Sequence, residues 1–167
     1  MYEKSIELLN KAVAEELTAV HQYMYYHFYC DDLGYDLLSL LFRRTAIEEM
    51  LHIENIAERI LFLKGEVEMV ASAEVVKNHD VKDMLEHAVQ LEQGAIRDYN
   101  LWANECAAHA DSVSKKLFES LVMDEERHYD QFDTELDNME KFGVNYLVLQ
   151  SIERSKTVAA GTPQQTA

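Results

Sequence analysis

Four glutamates and two histidines, Glu16, Glu49, His52, Glu92, Glu125 and His128, stand where long amphipathic segments call for apolar side chains. Burying a carboxylate is costly unless it is paired or bound to a cation, so six such groups on apolar seams point to a metal centre. Their spacing repeats. Glu16 to Glu49 is 49 − 16 = 33 residues, and Glu92 to Glu125 is 125 − 92 = 33 residues. Each second glutamate opens an E-x-x-H, as Glu49-Met50-Leu51-His52 and as Glu125-Glu126-Arg127-His128. Residues three apart share a helix face, so each motif aims a carboxylate and an imidazole at one point.

A lone E-x-x-H on an acidic helix is ordinarily surface charge. Two of them, each set at the same offset from a seam glutamate, form the ligand set of di-iron and di-manganese carboxylate bundles. Carboxylate with imidazole suits iron or manganese, and the lack of thiolate ligands disfavours structural zinc. Without metal, four buried anions would repel one another and some would take up protons.

The elements that must position these groups are helices. With five Gly and one Pro, that one at Pro163, almost nothing interrupts helical periodicity. A first helix over about 3–31 carries the seam Ile6, Leu9, Val13, Glu16, Val20, Tyr23, His27, Cys30. Turn chemistry at Asp31-Asp32-Leu33-Gly34 returns the chain antiparallel into a second helix, about 36–64, which stops at Lys64-Gly65. Residues 66–80 lack clear periodicity but are long enough to cross a bundle roughly 40 Å tall, so helices two and three run parallel. Asn78-His79-Asp80 offers the cap of a third helix, about 81–109, and Ala110-Asp111-Ser112 that of a fourth, about 112–141. Tyr146, Leu147, Leu149 and Ile152 suggest a short fifth helix ending near Ser155. The expectation is an all-α four-helix bundle with a long crossover and a fifth helix over 1–155, and a disordered tail over 156–167. Glu16, Tyr23 and Cys30 are each seven apart, as are Glu92, Tyr99 and Cys106, so the halves read as two copies of one helical hairpin.

A net charge of −16 argues against nucleic acid and anionic membrane surfaces as partners and favours cations. No apolar run is long enough to span a bilayer, and Met1-Tyr2-Glu3-Lys4-Ser5 does not open a secretory signal. The cytoplasm is the expected location. Cys30 and Cys106, with no C-x-x-C, cannot build a rubredoxin-type site and are expected as reduced thiols.

The runs Glu16-Leu17-Thr18-Ala19-Val20-His21-Gln22-Tyr23, Ile47-Glu48-Glu49-Met50-Leu51-His52 continuing to Ala57–Leu63, and Asp124-Glu125-Glu126-Arg127-His128 resemble bacterioferritin, within the ferritin-like di-iron superfamily. The resemblance covers about residues 4–154. It implies that Glu16 and His52 bind one iron, that Glu92 and His128 bind the other, and that Glu49 and Glu125 bridge the two. Tyr23 matches the family tyrosine beside the centre, and its two readings are a redox role and a core tyrosine one heptad from Glu16. Met50 matches the thioether that each of two subunits gives to a haem b or related iron porphyrin on a dimer axis, with Ala46 and Ala57 small enough for close approach. Plain interface packing is the other reading of Met50, and of Leu17, Val20 and Met24 around it. His21 and His27 fall outside the ligand set. Where some bacterioferritins carry an inner-surface iron ligand, this chain has Arg43 and Arg44.

What the resemblance implies is an iron-storage ferroxidase. Fe²⁺ would be oxidised by O₂ or H₂O₂ and stored as Fe³⁺ in a homo-oligomeric shell, 24 subunits built from dimers, with a reductase or ferredoxin serving iron release. A peroxide-consuming Dps-like or rubrerythrin-like protein is the alternative.

Overall fold

The computed structural model describes residues 2–159, with nothing further on the side chains of Val144, Arg154 and 157–159. Five helices follow one another: α1 (Glu3–Asp32), α2 (Asp36–Phe62), α3 (Val81–Ala108), α4 (Ser112–Phe142) and α5 (Val144–Ala159). No strand occurs among the described residues. The two main packing units are the hairpins α1·α2 and α3·α4, joined through α1·α3 and α2·α4. This is the expected long-crossover bundle. α5 runs past the expected end near Ser155 to Ala159, and residues 160–167 of the expected tail lie outside the described residues.

Each helix begins and ends for a local reason. Gly34 takes φ 78°, a left-handed conformation that glycine adopts without steric cost, and the Tyr35 amide donates to Cys30 O at 2.8 Å to close α1. At the end of α2 it is Lys64 that turns left-handed, at φ 66°. Gly65 is needed for space instead, since a Cβ there would sit 2.7 Å from Ile6 Cγ2. Asp80 caps α3 by accepting from the amides of Lys82 at 2.9 Å and Asp83 at 3.2 Å. Asp111 caps α4 through the Ser114 amide at 3.1 Å, and is also gripped by Arg59 Nη2 at 2.6 Å.

The crossover is pinned to one stripe of α1. The side chain of Asn10 donates to Glu66 O at 2.9 Å and accepts from the Glu68 amide at 2.9 Å. The Ser72 amide donates to Ala14 O at 3.0 Å, and the Thr18 and Ser72 hydroxyls lie 2.9 Å apart. Gln22 both donates to Val76 O at 2.9 Å and accepts from the Val76 amide at 2.7 Å. Positions 10, 14, 18 and 22 are four apart, hence one helix face. These polar contacts explain why 66–80 lacks an apolar period: its backbone hydrogen bonds go to side chains and backbone of α1 rather than to a ladder of its own.

The apolar core divides into two clusters. One holds Tyr23, Tyr26, Cys30, Phe42, Met84 and Phe132, with Tyr146 and Leu147 of α5 covering that end. The other holds Leu9, Val13, Ile56, Tyr99, Cys106 and Phe118. Cys30 and Cys106 therefore lie at opposite ends, both buried and both free thiols. The sequence-based seam of α5 is narrower in fact: Leu149 is 58% exposed and Ile152 lies outward with it, so only Tyr146 and Leu147 pack inward. Ala46 likewise differs from expectation. It is 2% exposed and belongs to the core, so it does not open the surface beside Met50.

Candidate metal centre

Between the two apolar clusters lies a polar band. Glu16 of α1, Glu49 and His52 of α2, Glu92 of α3, and Glu125 and His128 of α4 are all buried. The bundle brings all six of these residues together. Glu16, Glu49, His52 and Glu125 offer one ligand atom each within 4.8 Å of one another, and Glu49, Glu92, Glu125 and His128 do the same. The two groups share Glu49 and Glu125.

Both histidines turn Nδ1 inward. His52 Nδ1 lies 2.8 Å from Glu49 Oε2 and 3.2 Å from Glu125 Oε1, with Glu16 Oε1 at 3.5 Å. His128 Nδ1 lies 3.0 Å from Glu49 Oε1 and 3.1 Å from Glu125 Oε2. Despite these short distances, both oxygens of Glu49, Glu125 Oε1 and His52 Nδ1 make no hydrogen bond. Orphaned buried donor atoms that converge on one space are what a cation ligand set requires, and four carboxylates against two imidazoles supply the compensating charge. The residues fit a pair of divalent ions.

Outer groups hold this set in place. The Tyr99 hydroxyl donates to Glu16 Oε1 at 2.7 Å, and the Tyr23 hydroxyl makes a short hydrogen bond to Glu92. His128 Nε2 lies 2.7 Å from Glu48 Oε2, and His52 Nε2 lies 3.4 Å from Asp124 Oδ2. Each E-x-x-H histidine is thus held by the acid that precedes the other motif's glutamate. The sequence placed Tyr99 in the internal repeat and Glu48 and Asp124 in the motif runs, but gave none of the three a role at the centre. The signal for the acids was the doublet in Glu48-Glu49-x-x-His52 and Asp124-Glu125-x-x-His128, and for Tyr99 its equal spacing from Glu92 as Tyr23 from Glu16. Arg127 spans the two outer acids, 2.7 Å from Glu48 and 2.8 Å from Asp124, and Arg44 donates to Gln131 at 3.0 Å.

Protonation follows this geometry. Burial, then the charges of Glu125 and Glu49, pushes the Glu16 carboxyl well above its ordinary range, and burial with Glu49 and Glu125 does the same to Glu92. Burial opposes the charging of His128, but the carboxylates of Glu125 and Glu49 outweigh it and raise the ring to about 11; His52 is raised in the same way. Glu125 is pulled down despite its burial by the two facing imidazoles. Burial and the adjacent carboxylates push Tyr23 and Tyr99 well above the usual phenol range.

Other flagged residues sit elsewhere. Met50 is 46% exposed on the outer face of α2. His27 Nδ1 is satisfied by Ser39, at 3.0 Å from its carbonyl and 2.9 Å from its hydroxyl, and His21 is exposed. No helix among the described residues is long and apolar enough to cross a membrane.

A long-crossover bundle with a central glutamate–histidine cluster defines a ferritin-like protein, and the ferritin-like domain family matches residues 6–142. The bacterioferritin of Desulfovibrio desulfuricans is 35% identical over 163 residues, 98% of this chain and 86% of that one. That of Brucella melitensis is 36% identical over 140 residues, 84% of this chain and 87% of its relative. An X-ray structure of the D. desulfuricans protein, solved with its di-iron site in different catalytic states, superposes with a TM-score of 0.86 over 88% of this chain and 86% of that one. This chain belongs to the bacterioferritin family.

Proposed function

We propose that this protein is an iron-storage ferroxidase whose centre holds two iron ions. The observation that carries the reading is the sharing of Glu49 and Glu125 between two otherwise separate ligand groups, since bridging carboxylates are what place two metals side by side. Glu16 and His52 hold one ion and Glu92 and His128 the other. A bound iron pair supplies one electron from each ion to O₂ or H₂O₂. The chain's own groups prepare that chemistry. Glu48 accepts from His128 Nε2 and the Asp124 carboxylate lies 3.4 Å from His52 Nε2, so the outer nitrogen of each ring faces an acid and each Nδ1 is left facing inward. Tyr23 and Tyr99 keep the terminal carboxylates Glu92 and Glu16 turned toward the centre.

Storage needs an enclosure that one chain cannot form. The likeness to bacterioferritins supports a closed homo-oligomeric shell, of 24 subunits in our reading, located in the cytoplasm and emptied by a reductase or ferredoxin. The exposed Met50 thioether is where a haem shared with a second copy would be held. Anaerobic Fe²⁺ addition followed by O₂ or H₂O₂ tests the activity, with gel filtration and iron analysis testing storage. A parental chain that oxidises Fe²⁺ no faster than Glu49→Ala, or a particle no larger than a dimer, defeats the respective half of the reading. A strong preference for peroxide in a small shell would move the assignment to peroxide detoxification.

A further inference from the structure

Arg127 stands in sequence between two residues of the centre, Glu125 and His128, in a chain of net charge −16. A guanidinium repels the cations that this cluster is built to take, so its place beside the cluster needs a reason that outweighs the repulsion. Stability is not that reason. The Arg127 side chain is 43% exposed and those of its partners Glu48 and Asp124 are 27% and 42% exposed, and ion pairs this open add little to a fold.

The geometry supplies another. Arg127 Nη1 donates to Glu48 Oε2 at 2.7 Å, and the same oxygen lies 2.7 Å from His128 Nε2. Arg127 Nη2 donates to Asp124 Oδ1 at 2.8 Å, and the other oxygen of that carboxylate lies 3.4 Å from His52 Nε2. One planar fork thus grips the acid behind each imidazole. The run His52, Asp124, Arg127, Glu48, His128 passes round the outside of the centre and uses none of the four central carboxylates. The fork also ties α4 to α2, the two helices that carry the E-x-x-H motifs. Arg44 makes the reciprocal tie from α2, donating to Gln131 Oε1 of α4 at 3.0 Å with its Nε 4.0 Å from Glu48 Oε1. A lysine ammonium would meet one of these carboxylates as a point charge, whereas the guanidinium offers two separate nitrogens at a fixed angle.

We propose that Arg127 is a positioning residue for both metal positions at once. Through Glu48 and Asp124 it fixes the rotation of the His128 and His52 rings, and through the α2–α4 tie it fixes the separation of the two E-x-x-H motifs. This role rests on the reading of the centre as a two-metal site.

Charge and position pull in opposite directions, which makes the role measurable. Were Arg127 only a nearby positive charge, its removal would tighten cation binding; as a positioning residue, its removal loosens it. The test titrates Co²⁺ into the metal-free, full-length assembled protein with no oxidant present, and follows the visible absorption of the bound ion. Arg127→Ala is expected to weaken both binding steps about five-fold and to shift the Co²⁺ bands, because both rings gain freedom to rotate. Arg127→Lys keeps the charge but loses the fork, and it too weakens both steps. Both variants keep the helix content and particle size of the parent, since the ion pairs they lose are half-exposed. Co²⁺ binding by Arg127→Ala that is unchanged or tighter overturns the proposal. So does an Arg127→Lys variant that binds as the parent does, or a loss confined to one of the two steps. A parent that takes up no Co²⁺ is a different failure, seen before any variant is made: it overturns the two-metal reading, and the role of Arg127 with it.

Discussion

The Tyr99 hydroxyl reaches across from α3 to donate to Glu16 Oε1 on α1 at 2.7 Å, and Tyr23 on α1 does the same for Glu92 on α3. The two helices thus exchange one hydrogen bond each way, and each terminal carboxylate is held by the opposite half of the internal repeat. Removing either hydroxyl leaves a buried carboxyl short of a partner. Tyr99→Phe is expected to lower the stability of the metal-free protein by about 1–3 kcal/mol and to weaken Co²⁺ binding at one of the two positions by about ten-fold. Tyr23→Phe should match it within a factor of a few. Denaturant unfolding and Co²⁺ titration measure both, and a Tyr99→Phe variant that binds Co²⁺ as the parent does would reduce Tyr99 to core packing.

Metal binding should release protons. In the metal-free protein His52, His128, Glu16 and Glu92 are all raised above their ordinary values. At neutral pH the two imidazoles hold protons that bound divalent ions displace, and burial biases Glu16 and Glu92 toward their protonated forms, so net proton release on metal binding is expected in a weakly buffered indicator assay. Affinity should fall steeply as pH falls. The sign for stability follows from the same shifts. A folded state with raised values binds more protons than the unfolded chain, so the metal-free fold loses stability as pH rises through neutrality. Thermal midpoints with and without chelator, between about pH 6 and 9, should diverge with rising pH.

Glu48 and Asp124 orient the two imidazoles without belonging to either ligand group. Glu48→Ala should therefore weaken metal binding about ten- to a hundred-fold, with Co²⁺ still bound at higher concentration. Asp124→Ala should have the smaller effect, because its contact with His52 is 3.4 Å against 2.7 Å for Glu48 with His128. Isothermal titration separates the two, and the reverse order would contradict the assignment.

Asp111 combines a helix cap with a buried ion pair to Arg59 at 2.6 Å. Asp111→Ala leaves the guanidinium unpaired and the Ser114 amide uncapped, a cost of about 3 kcal/mol in denaturant unfolding. Burial tends to raise this carboxyl, but the Ser114 and Arg59 hydrogen bonds outweigh it and hold it below its ordinary value of 3.8. A depressed value stabilises the fold above the unfolded-state value and is lost as pH falls through the folded one. The gap between parent and Asp111→Asn should thus be full at pH 7 and shrink below about pH 4.

The sequence by itself determined the helices and the six central residues, because both are written in local periodicity. A glutamate at a seam position points inward whatever the partner helix is, and an E-x-x-H keeps its two groups on one face without tertiary help. Equal offsets in the two halves then required the groups to meet. Relations between helices are of another kind, since they depend on the rotation and stagger that packing imposes. That is why the contact of Tyr99 with Glu16, 83 positions away, and that of Glu48 with His128, 80 positions away, could not be read from spacing. The stripe Asn10, Ala14, Thr18, Gln22 acquires its role only from the crossover that lies along it. Ala46 turned inward and Leu149 outward for the same reason: a helix's own period sets which residues share a face, but only its neighbours decide which face is covered.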